Sequence, residues 1–136
     1  MANESSFRWF KVLLEPDSKY RNTIQPVKDS NTLLRTMSKN AQDIVADYLK
    51  FLWQYAEEDI RKHTQSNWKE IYSVKVVITV PAMWSHVAQD RTRKAALSAG
   101  ITDNVSIVTE PEAAALAVFK DRDEMGLSLK VSVAVI

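Results

Sequence analysis

The sequence predicts an α/β fold in which mostly parallel strands are flanked by helices. Two β-branched runs, at 74–80 and 105–109, each lead through a proline into an alanine-rich stretch. The resulting order of strand, helix, strand, helix suits parallel pairing with right-handed crossovers. A content of 46% apolar residues in 136 fits a single globular core.

Taken in order, residues 1–6 read as a loose terminus. Residues 7–14 form a short apolar element, strand or helix, closed by Glu15-Pro16-Asp17. The stretch 17–39 is polar with scattered apolar positions, and Pro26 interrupts any long helix, so a loop with weak structure is expected. Residues 1–39 together make a loosely structured N-terminal segment. Over 40–63, Ile44, Val45, Tyr48, Leu49, Leu52, Trp53, Ala56 and Ile60 recur at steps of three and four, the spacing of a helical stripe. Asn40 is positioned to cap that helix, with Asp43 in its first turn and Arg61, Lys62 and His63 at its carbonyl end.

The run VKVVITV at 74–80 is a buried strand, ended by Pro81. Ser85 caps the next helix, which presents Trp84, Ala88, Ala95 and Ala99 on one side and stops at Gly100. Small residues let it lie close to a sheet. A second strand covers 105–109, Pro111 opens another helix over 112–119, and a third apolar strand is expected over 129–136.

Composition excludes several functions. With 18 basic and 17 acidic residues spread along the chain, no footprint for nucleic acid or an anionic membrane stands out. The absence of cysteine rules out disulfides, Cys-ligated zinc and thiol catalysis, and no signal peptide or anchor is visible, so a soluble cytoplasmic protein is expected. Two glycines, Gly100 and Gly126, cannot build a glycine-rich phosphate loop.

Candidate site residues gather at the strand ends. Glu110 stands at the carboxyl end of a strand and before a helix N-terminus, where open α/β sheets place ligands. A carboxylate there could hold Mg²⁺ through water. The simpler reading, favoured by local physics, is that Glu110 and Glu112 complement the helix dipole. Pro81 ends the preceding strand in the same relative place, either as one wall of a cleft or as a plain terminator. His63 and His86 stand apart and support no metal cage. Arg91, Arg93 and Lys94 form a short basic group, by default a solvated face and alternatively an anion site. Trp9, Trp53, Trp68 and Trp84 read as core or interface anchors.

The segments Val80-Pro81-Ala82, Ala99-Gly100-Ile101 and Glu110-Pro111-Glu112-Ala113-Ala114-Ala115 resemble the nucleotide-binding domain of the heat shock protein 70 family. The branch they are most similar to is the one named for heat shock 70 kDa protein 12. The resemblance spans about 40–119 and implies an incomplete ribonuclease H-like, actin-like ATPase fold, with 40–136 as a partial nucleotide-binding domain. It implies that Glu110 helps to position the catalytic water and Mg²⁺, and that Pro81 is an allosteric switch; Gln89 stands where many members carry a relay arginine. ATP and Mg²⁺ are the family's cofactors, with tight binding by this chain not expected. Neither of the family's phosphate loops occurs in 1–136, which reads as an internal slice without ATPase activity of its own. The competing expectation is a non-catalytic protein-interaction module that binds other chains through exposed sheet edges.

Overall fold

The computed structural model of the chain describes residues 6–102 and 104–122. Among these, the chain opens with two 3₁₀ turns, Phe10–Leu14 and Lys19–Asn22. Helices α1 (Gln25–Thr36), α2 (Ala41–His63) and α3 (Trp68–Ile71) follow, then strand β1 (Val76–Val80), helix α4 (His86–Ser98), strand β2 (Val105–Thr109) and helix α5 (Glu110–Arg122). The third strand expected over 129–136 lies outside the described residues.

Local chemistry accounts for most boundaries. Asn40 and Asp43 form a reciprocal capping box at the head of α2: the Asn40 side chain accepts the Asp43 N–H at 3.0 Å, and Asp43 accepts the Asn40 N–H at 2.8 Å. Ser85 caps α4 by accepting the Ala88 N–H. The far end of α4 closes in a Schellman motif, with Ile101 N–H donating to the Ala96 carbonyl and Gly100 N–H to that of Leu97. Gly100 takes φ 79°, the left-handed value this motif needs. The same pair of bonds ends α1, where Ser38 holds φ 53°.

Helix α1 lies inside the stretch expected to be a loop. Pro26 occupies the first turn of the helix, where its missing N–H has no intrahelical partner to lose, so it starts the helix instead of breaking it. The 7–14 element, open between strand and helix, resolves as a 3₁₀ turn that buries Leu13 and Leu14.

The two strands pair in parallel, with Val76 against Val105 and Val80 against Thr109, and make a sheet of two among the described residues. One apolar cluster joins Val45 and Leu49 of α2, Ala95, Ala96 and Ala99 around the end of α4, and Ile78 and Val105 of the sheet. The alanines do what their size suggests, letting α4 seat closely between α2 and the strands. A second cluster joins Leu13, Val27, Leu34 and Ile44, tying the N-terminal turns and α1 to α2. Burial of these side chains supplies the main driving force for folding.

The expected fold class is corrected by this architecture. Seven helical elements and two five-residue strands make the described chain predominantly helical, with a small unclosed sheet in place of the mostly parallel-stranded ribonuclease H-like core. The physical reason lies upstream of β1, where every element forms local i→i+3 and i→i+4 bonds and offers no strand to extend the sheet. No helix among the described residues is long and apolar enough to cross a membrane.

Candidate functional site

The carboxyl end of the β1–β2 pair is where both sequence candidates meet. Val80 and Thr109 are the last registered partners, so Pro81 and Glu110 are each the next residue out, side by side. Pro81 is half-buried, and its carbonyl accepts the Trp84 N–H at 3.1 Å in the turn toward α4. Glu110 begins α5.

Glu110 and Glu112 have different tasks. Thr109 and Glu112 form the reciprocal cap of α5: the Glu112 carboxylate accepts the Thr109 N–H at 2.8 Å and its hydroxyl at 2.7 Å, while Glu112 N–H donates back to that hydroxyl. The bond from the Thr109 backbone, followed by that from its hydroxyl, holds the Glu112 carboxyl below the usual carboxylate range. Thr109-x-x-Glu112 is a legible capping signature, and it assigns the dipole role to Glu112. Glu110 instead faces Lys11, whose Nζ lies 3.5 Å from its Oε1, an ion pair open to solvent on both sides.

The crevice outside the strand ends is crossed by the chain's own N-terminal segment. Besides the Lys11–Glu110 pair, the Glu15 carboxylate accepts the Ser85 N–H at 2.7 Å and its hydroxyl at 3.1 Å, and Arg91 Nη1 donates to the Leu14 carbonyl at 2.9 Å. Partial burial raises the Glu15 pKa, but the bonds from Ser85 and Asp17 with the charge of Arg91 outweigh it, leaving the group below its ordinary value. Sequence reasoning took Glu15 as part of a loop closure. Its partner lies seventy residues on, and no local signal announces such a bond.

The short basic group divides. Arg91 reaches Leu14, Arg93 Nη1 donates to the Val105 carbonyl at 2.6 Å, and Lys94 pairs with Asp90 one turn back. His63 and His86 are exposed. Trp68 is a core residue, whereas Trp9 is 60% exposed.

No family model matches this sequence, and no solved structure matches the chain. The resemblance to the heat shock protein 70 family is therefore corrected, as are the ATPase fragment and the ATP and Mg²⁺ association that it implied. Among the described residues the sheet has two strands and lacks the core that such a domain requires. Among the described residues no group of three or more His, Cys, Asp or Glu side chains could hold a metal ion. Glu110 has the Lys11 ammonium as its charged neighbour. The matching segments are a strand stop, a helix stop and a helix start, punctuation that any strand–helix–strand–helix unit uses.

Proposed function

We propose that this chain is a non-catalytic protein-binding module and that its partner is a second copy of itself. The observation behind the proposal is a second apolar stripe on α2. Ile44, Tyr48, Phe51 and Tyr55 recur at steps of three and four, so they share a face separate from the Val45 and Leu49 face turned into the core. The chain covers the first half itself: Ile44 is buried with Leu13, Val27 and Leu34, and the Phe10 ring meets Tyr48 edge-on at 5.8 Å. Cover then runs out, and Phe51 and Tyr55 are each 68% exposed.

Trp9 adds to this surface. It holds φ 56°, a left-handed conformation that bulky residues seldom adopt, while its indole stays largely in solvent. With Phe10, Lys11, Val12 and Tyr48 it lines a mainly apolar cleft of about 440 Å³ beside the stripe. Strain that displays an aromatic ring fits a binding surface.

A second copy suits the stripe because the stripe complements itself. Phe51 and Tyr55 are one turn apart, so two α2 helices packed antiparallel about a two-fold axis set Phe51 of each against Tyr55 of the other. The flanking carboxylates Asp47 and Glu58 already pair with Lys39 and Lys62 of their own chain, which limits like-charge repulsion across the axis. Engagement through sheet edges has narrower support. With Val76 N–H bonded to the Asn104 carbonyl, Val105 and Thr109 face away from β1, and that edge is blunted by Arg93 on the Val105 carbonyl and Glu112 on the Thr109 N–H.

The chain contains no cysteine, which makes a cross-linking test clean. Phe51→Cys and Tyr55→Cys proteins, purified separately and mixed under mild oxidation, should form a disulfide-linked dimer in preference to either variant alone. A failure of the mixture to cross-link above the level of a Lys28→Cys control would overturn the proposed pairing.

A further inference from the structure

A cavity of about 480 Å³ opens where the end of α1, the start of α2 and the 3₁₀ turns come together. Its charged lining has one sign: Arg21, Arg35, Lys39 and Arg91, with no carboxylate among the lining residues. Arg21 Nη2 donates to the Leu13 carbonyl at 2.8 Å and Arg91 Nη1 to the Leu14 carbonyl at 2.9 Å. Two guanidiniums from distant parts of the sequence thus converge on consecutive carbonyls. A carbonyl is a neutral acceptor and leaves the Arg21 charge uncompensated, whereas the Arg91 charge is shared with the Glu15 carboxylate, and among the described residues the buried Arg21 Nε–H has no acceptor.

The nearby carboxylates already have partners. Glu15 turns to Ser85, Asp43 accepts the Asn40 N–H, and Asp47 pairs with Lys39. Of the four cations, Lys39 pairs with Asp47 and Arg91 lies in the field of Glu15, which leaves Arg21 and Arg35 without a carboxylate partner among the described residues. Asn40, Ala41 and Gln42 bring the head of α2 to the same wall, where the capping box takes the Asn40 and Asp43 N–H groups and those of Ala41 and Gln42 have no intrahelical acceptor. Asn31 supplies a further amide. Like charges held together without a counter-ion repel, and an oxyanion removes that repulsion while filling the guanidinium forks.

We propose that this cavity binds a small, multiply charged phosphate anion of the pyrophosphate class. The assignment stands on the cavity and its charges and is independent of α2 self-association. The test is calorimetric titration of the full chain with inorganic pyrophosphate at fixed ionic strength, with citrate and sulfate as parallel arms. Saturable one-to-one binding of pyrophosphate is expected, with citrate and sulfate weaker by about tenfold or more. Arg35 makes no side-chain hydrogen bond or ion pair with another described residue, so Arg35→Glu should fold normally and lose at least about tenfold in affinity. Gln42→Glu places a carboxylate in the lining without removing a cation and should do the same, whereas Lys28→Glu, outside the cavity on α1, should bind as the wild type. The proposal is overturned by the absence of saturable heat with pyrophosphate, by wild-type binding in both Arg35→Glu and Gln42→Glu, or by citrate binding as tightly as pyrophosphate.

Discussion

The Glu15 carboxylate accepts both the backbone N–H and the hydroxyl of Ser85, at 2.7 and 3.1 Å, fastening the N-terminal segment to the head of α4. Its lowered pKa fixes the sign of its pH dependence. A carboxyl with a depressed folded pKa contributes stability that is present above its unfolded value, near 4.5, and is lost as pH falls through the folded value. Glu15→Gln should therefore lower the urea midpoint at pH 7, and the gap to wild type should narrow below pH 4.5. A gap of constant size across that range would show that the bond is not charge-assisted.

At the head of α5 the two acidic neighbours separate by task. Thr109→Ala removes the hydroxyl that Glu112 grips and should cost about 1 kcal/mol in urea unfolding. Glu110→Gln removes one side of an exposed ion pair and should stay within about 1 kcal/mol of wild type. A larger loss for Glu110→Gln than for Thr109→Ala would reverse the assignment.

Two helix ends share the same left-handed geometry with different residues. Nothing lies within 4 Å of a Cβ built on Gly100, so Gly100→Ala should cost about 1 kcal/mol from backbone conformation alone. Ser38, at φ 53° after α1, should respond in the opposite direction, with Ser38→Gly raising the thermal midpoint. Thermal unfolding of the two variants side by side checks both signs.

Within β1, Thr79 is buried and its hydroxyl has no hydrogen-bond partner among the described residues. A buried unsatisfied hydroxyl is destabilising relative to a methyl group of the same shape. Thr79→Val should thus be neutral or stabilising by up to about 1 kcal/mol, measured by urea unfolding; a clear loss would mean that the hydroxyl is satisfied in solution.

The parts of this fold that were legible in the sequence are the parts governed by neighbours in the chain. The Asn40 cap, the Ser85 cap, the Gly100 stop and both strands follow from residues within a few positions of one another. The helix over 40–63 was legible as a helix, but its stripe merged two faces, Val45 and Leu49 with Ile44 and Tyr48, and passed over Phe51 and Tyr55. Whether an apolar residue is covered depends on what packs against it, and that is a long-range fact. Pro26 misled in the same way, since a proline breaks a helix interior and suits a helix start, and the choice turns on where the helix begins.

The candidate site was less legible still. Glu110 and Pro81 were placed correctly at strand ends, but what lies opposite them, Lys11 and the Glu15–Ser85 bond, comes from the far end of the chain. The three segments that suggested a nucleotide-binding domain encode local turns and caps, and local punctuation does not determine how many strands a sheet gathers. The basic cavity has the same origin: Arg21, Arg35 and Lys39 sit apart from Arg91 in the sequence, and folding alone brings them to one wall.

Sedimentation equilibrium over a hundredfold range of concentration tests the proposed pairing of α2 most directly. The wild-type chain should follow a monomer–dimer equilibrium, and Phe51→Glu, at an exposed position where the substitution leaves the core intact, should remain monomeric throughout. A wild-type chain that stays monomeric across the whole range, or a Phe51→Glu variant that dimerises as tightly as wild type, would contradict it.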